Sequence, residues 1–361
     1  MNLQEAVNET MTRLKKPSHL AEHFFVAPAT VPRYAIGRNA EALEVNQLVR
    51  LHGVIDDFEP EASTWRGMPI VRTRDVPKGA LIANCSTSIS PVAVLKHLTT
   101  AGLKNVVGLH ELIVASNGAL HWPKFAITQR DELHNHRDAW DKIYESLSDN
   151  ESRKTFMDVI RFRLSGNPNY LENYTVRIED QYFEDFMKFG GEVFVDAGGF
   201  DGDTSEAFAK RYPDYKKIFI FEPSQKNMTA ARQRLSGYRN IDYRPIGLSD
   251  SAGTLNFNQD AGSAAAVTNV EGSTISVDTL DAAVLEPVTF IKMDLEGWEM
   301  KALEGSRAHI ARDRPKLAIA VYHDSPDFRL VHQFVSDFGH EYNCYLRHYT
   351  QGWSETVMFF V

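Results

Sequence analysis

Cysteine is scarce in this sequence: there are 2 among 361 residues, Cys85 and Cys344, and they lie far apart. That spacing excludes a disulfide framework and a cysteine metal cluster, and it favours a reducing compartment. The first residues contain acids from Glu5 onward and no apolar core of the signal-peptide kind. We therefore expect a cytoplasmic protein.

Long apolar runs and an excess of basic charge are also missing. No stretch approaches the roughly 18 apolar residues of a transmembrane helix, and the formal net charge is −9. A negatively charged surface has no general attraction for nucleic acid or for an anionic membrane. We expect neither nucleic-acid binding nor membrane insertion.

The chain is long enough for two cores, with 43% hydrophobic residues. The pattern of apolar runs, helical periodicity and glycines along the chain predicts four segments. They are an N-terminal helical arm (1–30), a small Rossmann-like α/β domain (31–118), a helical connector (119–188) and a second α/β domain (189–361). The arm is predicted as one amphipathic helix that ends near Pro28 and Pro32. The connector is predicted to be helical, including IEDQYFEDFMKF at its end.

The second α/β domain shows a regular alternation of strands and helices. The predicted parallel strands are EVFVDAGG, KIFIFEP, IDYRPIGL, VTFIKMDL and KLAIAVYH. The last two apolar runs, NCYLRHY and ETVMFFV, predict an antiparallel hairpin at the sheet edge. The predicted fold class is therefore α/β with a doubly wound sheet, preceded by a smaller Rossmann-like domain.

A glycine-rich turn follows the first of these strands, within residues 192–205. Glycines allow close backbone approach to a ligand, and ligands bind at the carboxyl ends of such strands. Glu222 ends the next strand, where an acid commonly accepts hydrogen bonds from ribose hydroxyls. The predicted cofactor-binding residues are Asp196, Gly198, Gly199, Phe200, Gly202, Thr204, Glu222, Pro223, Ser224, Asn227, Gly247, Leu248, Ser249 and Asp294.

Six motifs in this order resemble the FkbM-type methyltransferases: DAGGFDGDT, FEPSQKN, GLSD, VDTLD, KMDLEGWEMKALEG and YLRHYTQGWSETV. The resemblance spans about residues 190–361. It implies a seven-stranded Rossmann-like methyltransferase fold, S-adenosylmethionine as cofactor, and O-methylation of a sugar or a glycan-like acceptor. Phe200 departs from the glycine that many class I methyltransferases have at the middle of the turn.

Three residues at the ends of later strands are the candidate catalytic groups: Asp294, Glu296 and His323. Methyl transfer to an alcohol needs a base within hydrogen-bond reach of the hydroxyl, and we assign this role first to His323. The same three residues are an alternative set of divalent metal ligands. A purely structural role, as helix cap or backbone partner, stays open for the two acids.

The candidate acceptor-binding residues are Trp298, Tyr322, Arg347 and His348. Aromatic rings can stack on a sugar, and Arg347 and His348 resemble the terminal pair of the family. Packing within the terminal hairpin is the alternative for these two residues.

The N-terminal half resembles the small Rossmann-like domains that precede some sugar-modifying enzymes, through Asp56, Asp57, Gly67 and Pro69. Its turn after the first strand lacks a full G-x-G-x-x-G pattern, so a scaffold or acceptor-recognition role is favoured over dinucleotide binding. Two other functions stay open for the whole chain, namely a nicotinamide-dependent sugar-nucleotide oxidoreductase and a cofactor-binding protein without catalysis.

Overall fold

The computed structural model of the chain describes residues 2–14, 16–60, 62–257 and 273–361. The chain divides into two compact units. The first consists of Met1–Asp141, Lys154–Val176 and His348–Ser354, and the second of Lys142–Arg153, Arg177–Arg347 and Glu355–Val361. The sequence-based division into four segments stays a prediction. Within the described residues, every helix is too short or too polar to span a membrane.

The first unit contains a six-stranded sheet. Its strands are β1 Arg33–Ile36, β2 Gly53–Ile55, β3 Thr64–Trp65, β4 Met68–Val71, β5 Leu81–Asn84 and β6 Val106–Gly108. They pair in the order β3-β4-β2-β1-β5-β6, and every pair is parallel except β3 with β4. Successive residues of β5 point to opposite faces, so Leu81 and Ile82 belong to two separate apolar clusters.

Eight α-helices lie in the first half of the described chain. They are α1 Leu3–Arg13, α2 His19–Val26, α3 Ala40–Leu48, α4 Pro91–Thr100, α5 Leu109–Ala115, α6 Lys124–Asn135, α7 Arg137–Ser146 and α8 Asn150–Ser165. The single helix predicted for the N-terminal arm is wrong. Two helices replace it, because Pro17 disfavours helical backbone at the residue before it and Ser18 caps the second helix by accepting from the Ala21 N–H.

The second unit contains the sheet predicted from the strand pattern. The strands of the second unit are β7 Val193–Ala197, β8 Lys217–Phe221, β9 Ile241–Arg244, β10 Gly247–Leu248, β11 Gly253–Phe257, β12 Ser273–Asp278, β13 Phe290–Met293, β14 Lys316–Ala320, β15 Cys344–His348 and β16 Thr356–Phe360. Seven of them pair in the order β15-β16-β14-β13-β7-β8-β9. Strands β14, β13, β7, β8 and β9 are parallel, and β16 is antiparallel to β14. The α/β fold class is confirmed.

The last two strands lie at one edge of this sheet, as predicted: β15 is outermost and β16 lies between it and β14. One detail differs from the prediction. The run IDYRPIGL is not one strand, because Pro245 has no N–H to give to a ladder. Strand β9 ends at Arg244, and β10 joins a separate three-stranded sheet of order β10-β12-β11 that the sequence analysis did not predict.

The remaining helices are α9 Asp203–Arg211, α10 Gln225–Arg234, α11 Leu280–Ala283, α12 Glu299–Glu304, α13 Arg307–Asp313 and α14 Ser325–Ser336. Short 3-10 turns occur at Thr73–Asp75, Pro168–Leu171, Ile178–Asp180 and Asp185–Met187. The last two replace the α-helix predicted for IEDQYFEDFMKF, which is wrong. Tyr182, between them, has a φ of 74°, a left-handed conformation that interrupts a right-handed helix.

Candidate active site

The turn after β7 is shaped by two glycines that close packing requires. Gly198 has a φ of 79°, and a Cβ there would lie 1.9 Å from the carbonyl oxygen of Asp294. A Cβ on Gly199 would lie 2.2 Å from Cγ1 of Ile220. Both positions therefore need glycine for the packing of the turn itself, whatever ligand it holds.

Asp196, at the end of β7, is fully buried and pairs with Lys292 at 3.1 Å. Its other oxygen accepts from the hydroxyl of Ser205 at 2.6 Å. Burial raises the pKa of the Asp196 carboxyl against the effect of the Lys292 ammonium. Burial also acts to lower the pKa of Lys292, but Asp196 and Asp294 outweigh it and the pKa is raised. Asp196 thus holds the base of the turn and does not reach the cavity.

Glu222, at the end of β8, is buried beside the same turn. It accepts from the backbone N–H groups of Phe200 at 3.1 Å and Ser224 at 2.8 Å. Asn227 Nδ2 also donates to it, at 3.4 Å. Burial raises the pKa of Glu222, although these donors oppose the shift. Phe200 has a φ of 42°, so the departure from glycine at this position is accommodated by a left-handed phenylalanine.

The ends of β7, β8 and β13 open onto a cavity of about 750 Å³, within the usual range for a small-molecule site. Charged side chains of α9 line part of the cavity, namely Asp203, Glu206, Lys210 and Arg211. At one end, which we call the glycine end, the wall is mainly backbone and hydrocarbon. It consists of Gly198, Phe200, Glu222, Pro223, Asn227, Gly247, Leu248, Ile275 and Val277. At the other, the carboxylate end, acids and aromatic rings meet. It consists of Tyr182, Asp294, Glu296, Trp298, Tyr322 and Glu355.

Asp294 is the first residue after β13 and is held by two tyrosines. The hydroxyl of Tyr182 donates to Oδ2 at 2.7 Å, and that of Tyr322 to Oδ1 at 3.2 Å. Burial and the nearby Asp294 charge raise the pKa of both tyrosines well above the usual value. Both phenols therefore stay protonated as donors, and they fix the carboxylate at the cavity wall.

His323 lies among three carboxylates behind this wall. Its Nδ1 is 3.0 Å from Glu299, and its Nε2 is 3.4 Å from Glu296 and 3.5 Å from Asp294. Burial acts to lower the pKa of His323, but the three carboxylates outweigh it and raise the pKa to about 11. The ring is an imidazolium at neutral pH and has no lone pair for a proton. The role of His323 as base stays a prediction, and this charge state argues against it.

Ligand atoms of Asp294, Glu299 and His323 lie within 4.8 Å of one another. In this cluster Glu299 takes the place that the sequence analysis gave to Glu296. Glu299 is buried, and its Oε1 also accepts from the backbone N–H of Leu295 at 2.6 Å. The imidazolium offsets one of these negative charges; the metal set stays a prediction.

The predicted site residues separate into three groups by position. Those on the cavity wall are Gly198, Phe200, Thr204, Glu222, Pro223, Asn227, Gly247, Leu248, Asp294, Glu296, Trp298 and Tyr322. Those that lie behind it are Asp196, Gly199, Gly202, Ser224, Ser249 and His323. Arg347 and His348 are not part of the wall: Arg347 donates to Asp149 at 2.7 Å, and the ring of His348 packs edge-on against Tyr174.

Several wall residues were missed by the sequence analysis. They are Ile178, Glu179, Gln181, Tyr182, Phe183, Asp203, Glu206, Ala207, Lys210, Arg211, Phe221, Ile275, Val277, Lys292, Leu295 and Glu355. The segment around Tyr182 was interpreted as helix, and the strand that carries Ile275 was not predicted. Glu355 lies inside the last family-like motif, GWSETV, but a single acid in a loop carries no signal of its own.

Part of the chain that lines this cavity matches a known family model. Residues 196–342 match the family model described as the Methyltransferase FkbM domain. A search of curated proteins found no match. The crystal structure of methyltransferase FkbM from Methylobacillus flagellatus KT is similar over 99% of this chain and 98% of that one, with a TM-score of 0.75 and 19% identity.

Two smaller proteins are similar to about half of the chain. An rRNA methylase from Streptococcus thermophilus is 20% identical over 49% of this chain and 90% of that chain, with a TM-score of 0.33. A fibrillarin from Aeropyrum pernix, in complex with S-adenosyl-L-methionine, is 14% identical over 51% of this chain and 71% of that one, with a TM-score of 0.34.

Proposed function

We propose that this chain, an S-adenosylmethionine-dependent methyltransferase with an FkbM domain at residues 196–342, methylates a hydroxyl of a sugar or a glycan-like acceptor. The observation that carries the proposal is the carboxylate end of the cavity. There Asp294, Glu296 and Glu355 offer acceptors for hydroxyl groups, beside the rings of Trp298 and Tyr322. Acids for the hydroxyls and an aromatic face for the apolar side suit a sugar ring.

The glycine end fits the cofactor. Glu222 is fixed by three donors and would accept from ribose hydroxyls. Ile275 and Val277 of β12, with Leu248, give an apolar wall that would take the adenine. The bound cofactor supplies an electrophilic methyl group on a sulfonium.

At the carboxylate end the protein's task is to orient the acceptor. Asp294 is anchored by Tyr182 and Tyr322 and would hold an acceptor hydroxyl in one position. Such fixed geometry contributes much of the rate in transfer reactions. His323 and Glu296 form the charged layer next to it, with His323 Nε2 3.4 Å from Glu296.

The test is methyl transfer from labelled S-adenosylmethionine to a panel of methyl glycosides and nucleotide sugars. We expect label in a carbohydrate ether that is stable to base. Asp294→Asn should lower the rate about 10²-fold or more, while the exposed Glu304→Gln serves as the control. Label found only in protein or nucleic acid would overturn the acceptor assignment.

A second measurement distinguishes a methyltransferase from the alternative, a nicotinamide-dependent oxidoreductase. Calorimetry should detect binding of S-adenosylmethionine and none of NAD⁺. Tight binding of NAD⁺ in competition with the methyl donor would favour the oxidoreductase instead.

A further inference from the structure

Glu355 is a residue of the carboxylate end to which the sequence analysis assigned no role. It immediately precedes β16 and lines the cavity. Its φ is 65°, in the left-handed region that a residue with a side chain rarely adopts. Such backbone persists where the surroundings fix it, and it is concentrated at functional sites. The conformation thus marks Glu355 as a residue with a specific placement.

Gln181 and Tyr182 tie this residue to Asp294. Gln181 Nε2 donates to Glu355 Oε2 at 3.0 Å and to the Tyr182 hydroxyl at 3.0 Å. The Tyr182 hydroxyl in turn donates to Asp294 Oδ2 at 2.7 Å. One dipeptide therefore orients both carboxylates, through a chain of three hydrogen bonds.

The other acids of the cavity end are already engaged. Asp294 accepts from two tyrosine hydroxyls, and Glu296 faces the His323 imidazolium at 3.4 Å. Glu355 accepts one hydrogen bond, at Oε2; its Oε1 has no hydrogen-bond donor among the residues that the structure describes. Glu296 meets His323 through Oε2 alone, so Glu355 and Glu296 each keep one oxygen for an acceptor hydroxyl. Glu355 differs in that no cationic side chain among the described residues lies within ion-pair distance of it.

The surroundings of Glu355 also suit proton transfer. Burial raises its pKa, and the charges of Asp294 and Glu296 act in the same direction. The Gln181 hydrogen bond and the His323 imidazolium oppose them, and the resulting pKa is about 7. A base is most effective when its pKa lies near the working pH.

We propose that Glu355 is the base that removes the acceptor's hydroxyl proton, with Gln181 as its positioning residue. This inference rests on the proposed hydroxyl methylation. The acceptor oxygen bonds the methyl carbon while the carbon–sulfur bond breaks and its electron pair stays on sulfur, which becomes a neutral thioether. The hydroxyl proton passes to Glu355 Oε1, so charge and atoms balance.

The first experiment compares Glu355→Gln with the control Glu304→Gln on a methyl glycoside or nucleotide sugar that the unaltered enzyme methylates. Glutamine keeps the shape and can still accept from Gln181, but it cannot take a proton. We expect kcat to fall about 10²–10⁴-fold, with S-adenosylmethionine affinity within about twofold of the unaltered protein by calorimetry. Turnover within about threefold of normal would overturn the proposal.

The second experiment needs neither cofactor nor acceptor. Infrared spectra of the protein recorded against pH should contain a protonated-carboxyl band that titrates near pH 7 and is missing from Glu355→Gln. Gln181→Met should move this titration to higher pH, because it removes a donor to the carboxylate. A Glu355 that stays ionised to about pH 5 would refute the base role. Failure of the unaltered enzyme on every carbohydrate, with the titration present, would instead count against the acceptor assignment.

Discussion

The two ends of the cavity are built in opposite ways. The glycine end is mainly backbone and apolar side chains with Glu222 and Asn227, supplied by the turns after β7 and β8 and by β10 and β12. The carboxylate end is made of charged and aromatic side chains from four separated segments, which contribute Tyr182, Asp294, Tyr322 and Glu355. Both ends combine separated segments, but two segments of the glycine end carry recognisable local motifs, whereas the carboxylate end is assembled from isolated side chains.

This difference matches the chemistry of the two proposed ligands. A cofactor shared by many enzymes needs close backbone approach and a few fixed donors and acceptors, which a short motif can encode. An acceptor is recognised by side chains that differ with the substrate. The predictions below test this contrast, in order of decreasing effect.

Gly198→Ala should have the largest effect, a loss of folding stability. The added Cβ would lie 1.9 Å from the Asp294 carbonyl oxygen, at a φ of 79°. The turn must then move away from β13, and we expect a loss of about 3 kcal/mol or more in the free energy of unfolding. Urea unfolding followed by circular dichroism measures it. Gly237→Ala is the matched control, because a Cβ at Gly237 meets no heavy atom within 4 Å. Equal stability of the two variants would show that the turn is not fixed by packing.

The same contrast explains what the sequence could predict. The strand pattern was sufficient to predict the parallel strands of the larger sheet. The local motifs were sufficient to single out Gly198 and Glu222, which line the cavity. The sequence could not give the conformation of Tyr182, which has a φ of 74° in an apparently helical pattern and whose hydroxyl bonds the distant Asp294. Nor could it give the charge of His323, which depends on three carboxylates brought together by folding.

His323→Asn should destabilise the protein by about 3 kcal/mol at neutral pH, because it leaves buried carboxylates without their cation. The folded-state pKa of about 11 lies above the ordinary value of roughly 6.5. The stabilisation by His323 is therefore complete below about pH 6.5 and is lost as the pH rises through the folded-state pKa.

We expect the stability difference between the unaltered protein and His323→Asn to shrink by about 1–3 kcal/mol between about pH 7 and pH 9. Thermal or urea unfolding at several pH values measures it, with the exposed His121→Asn as control. A constant difference would mean that His323 is neutral when folded. An activity limb near pH 6.5 that disappears with the variant would then restore His323 as the base.

Glu222→Ala tests the glycine end. It removes the carboxylate that Phe200, Ser224 and Asn227 hold in place. We expect S-adenosylmethionine affinity to fall by about 1–3 kcal/mol, roughly 5- to 150-fold. Calorimetry measures the affinity, and circular dichroism reports whether the variant is folded. Asp294→Asn should change the affinity much less, because Asp294 lies at the carboxylate end. If both variants lost affinity equally, the two ends would not be separable.

Removal of divalent ions should have the smallest effect, on the rate of methyl transfer. The His323 imidazolium already lies 3.0 Å from Glu299 and 3.5 Å from Asp294. A metal would have to displace a proton from the imidazolium and take its place between the ring and these carboxylates. With the positive charge supplied by the protein, methyl transfer in excess EDTA should stay within about twofold of the untreated rate, and added Mg²⁺ should not increase it. Elemental analysis of the purified protein provides the independent measurement. Loss of activity in EDTA with recovery on adding Mg²⁺, together with about one equivalent of bound metal, would make Asp294, Glu299 and His323 a metal site and would assign the charge at this end of the cavity to the ion.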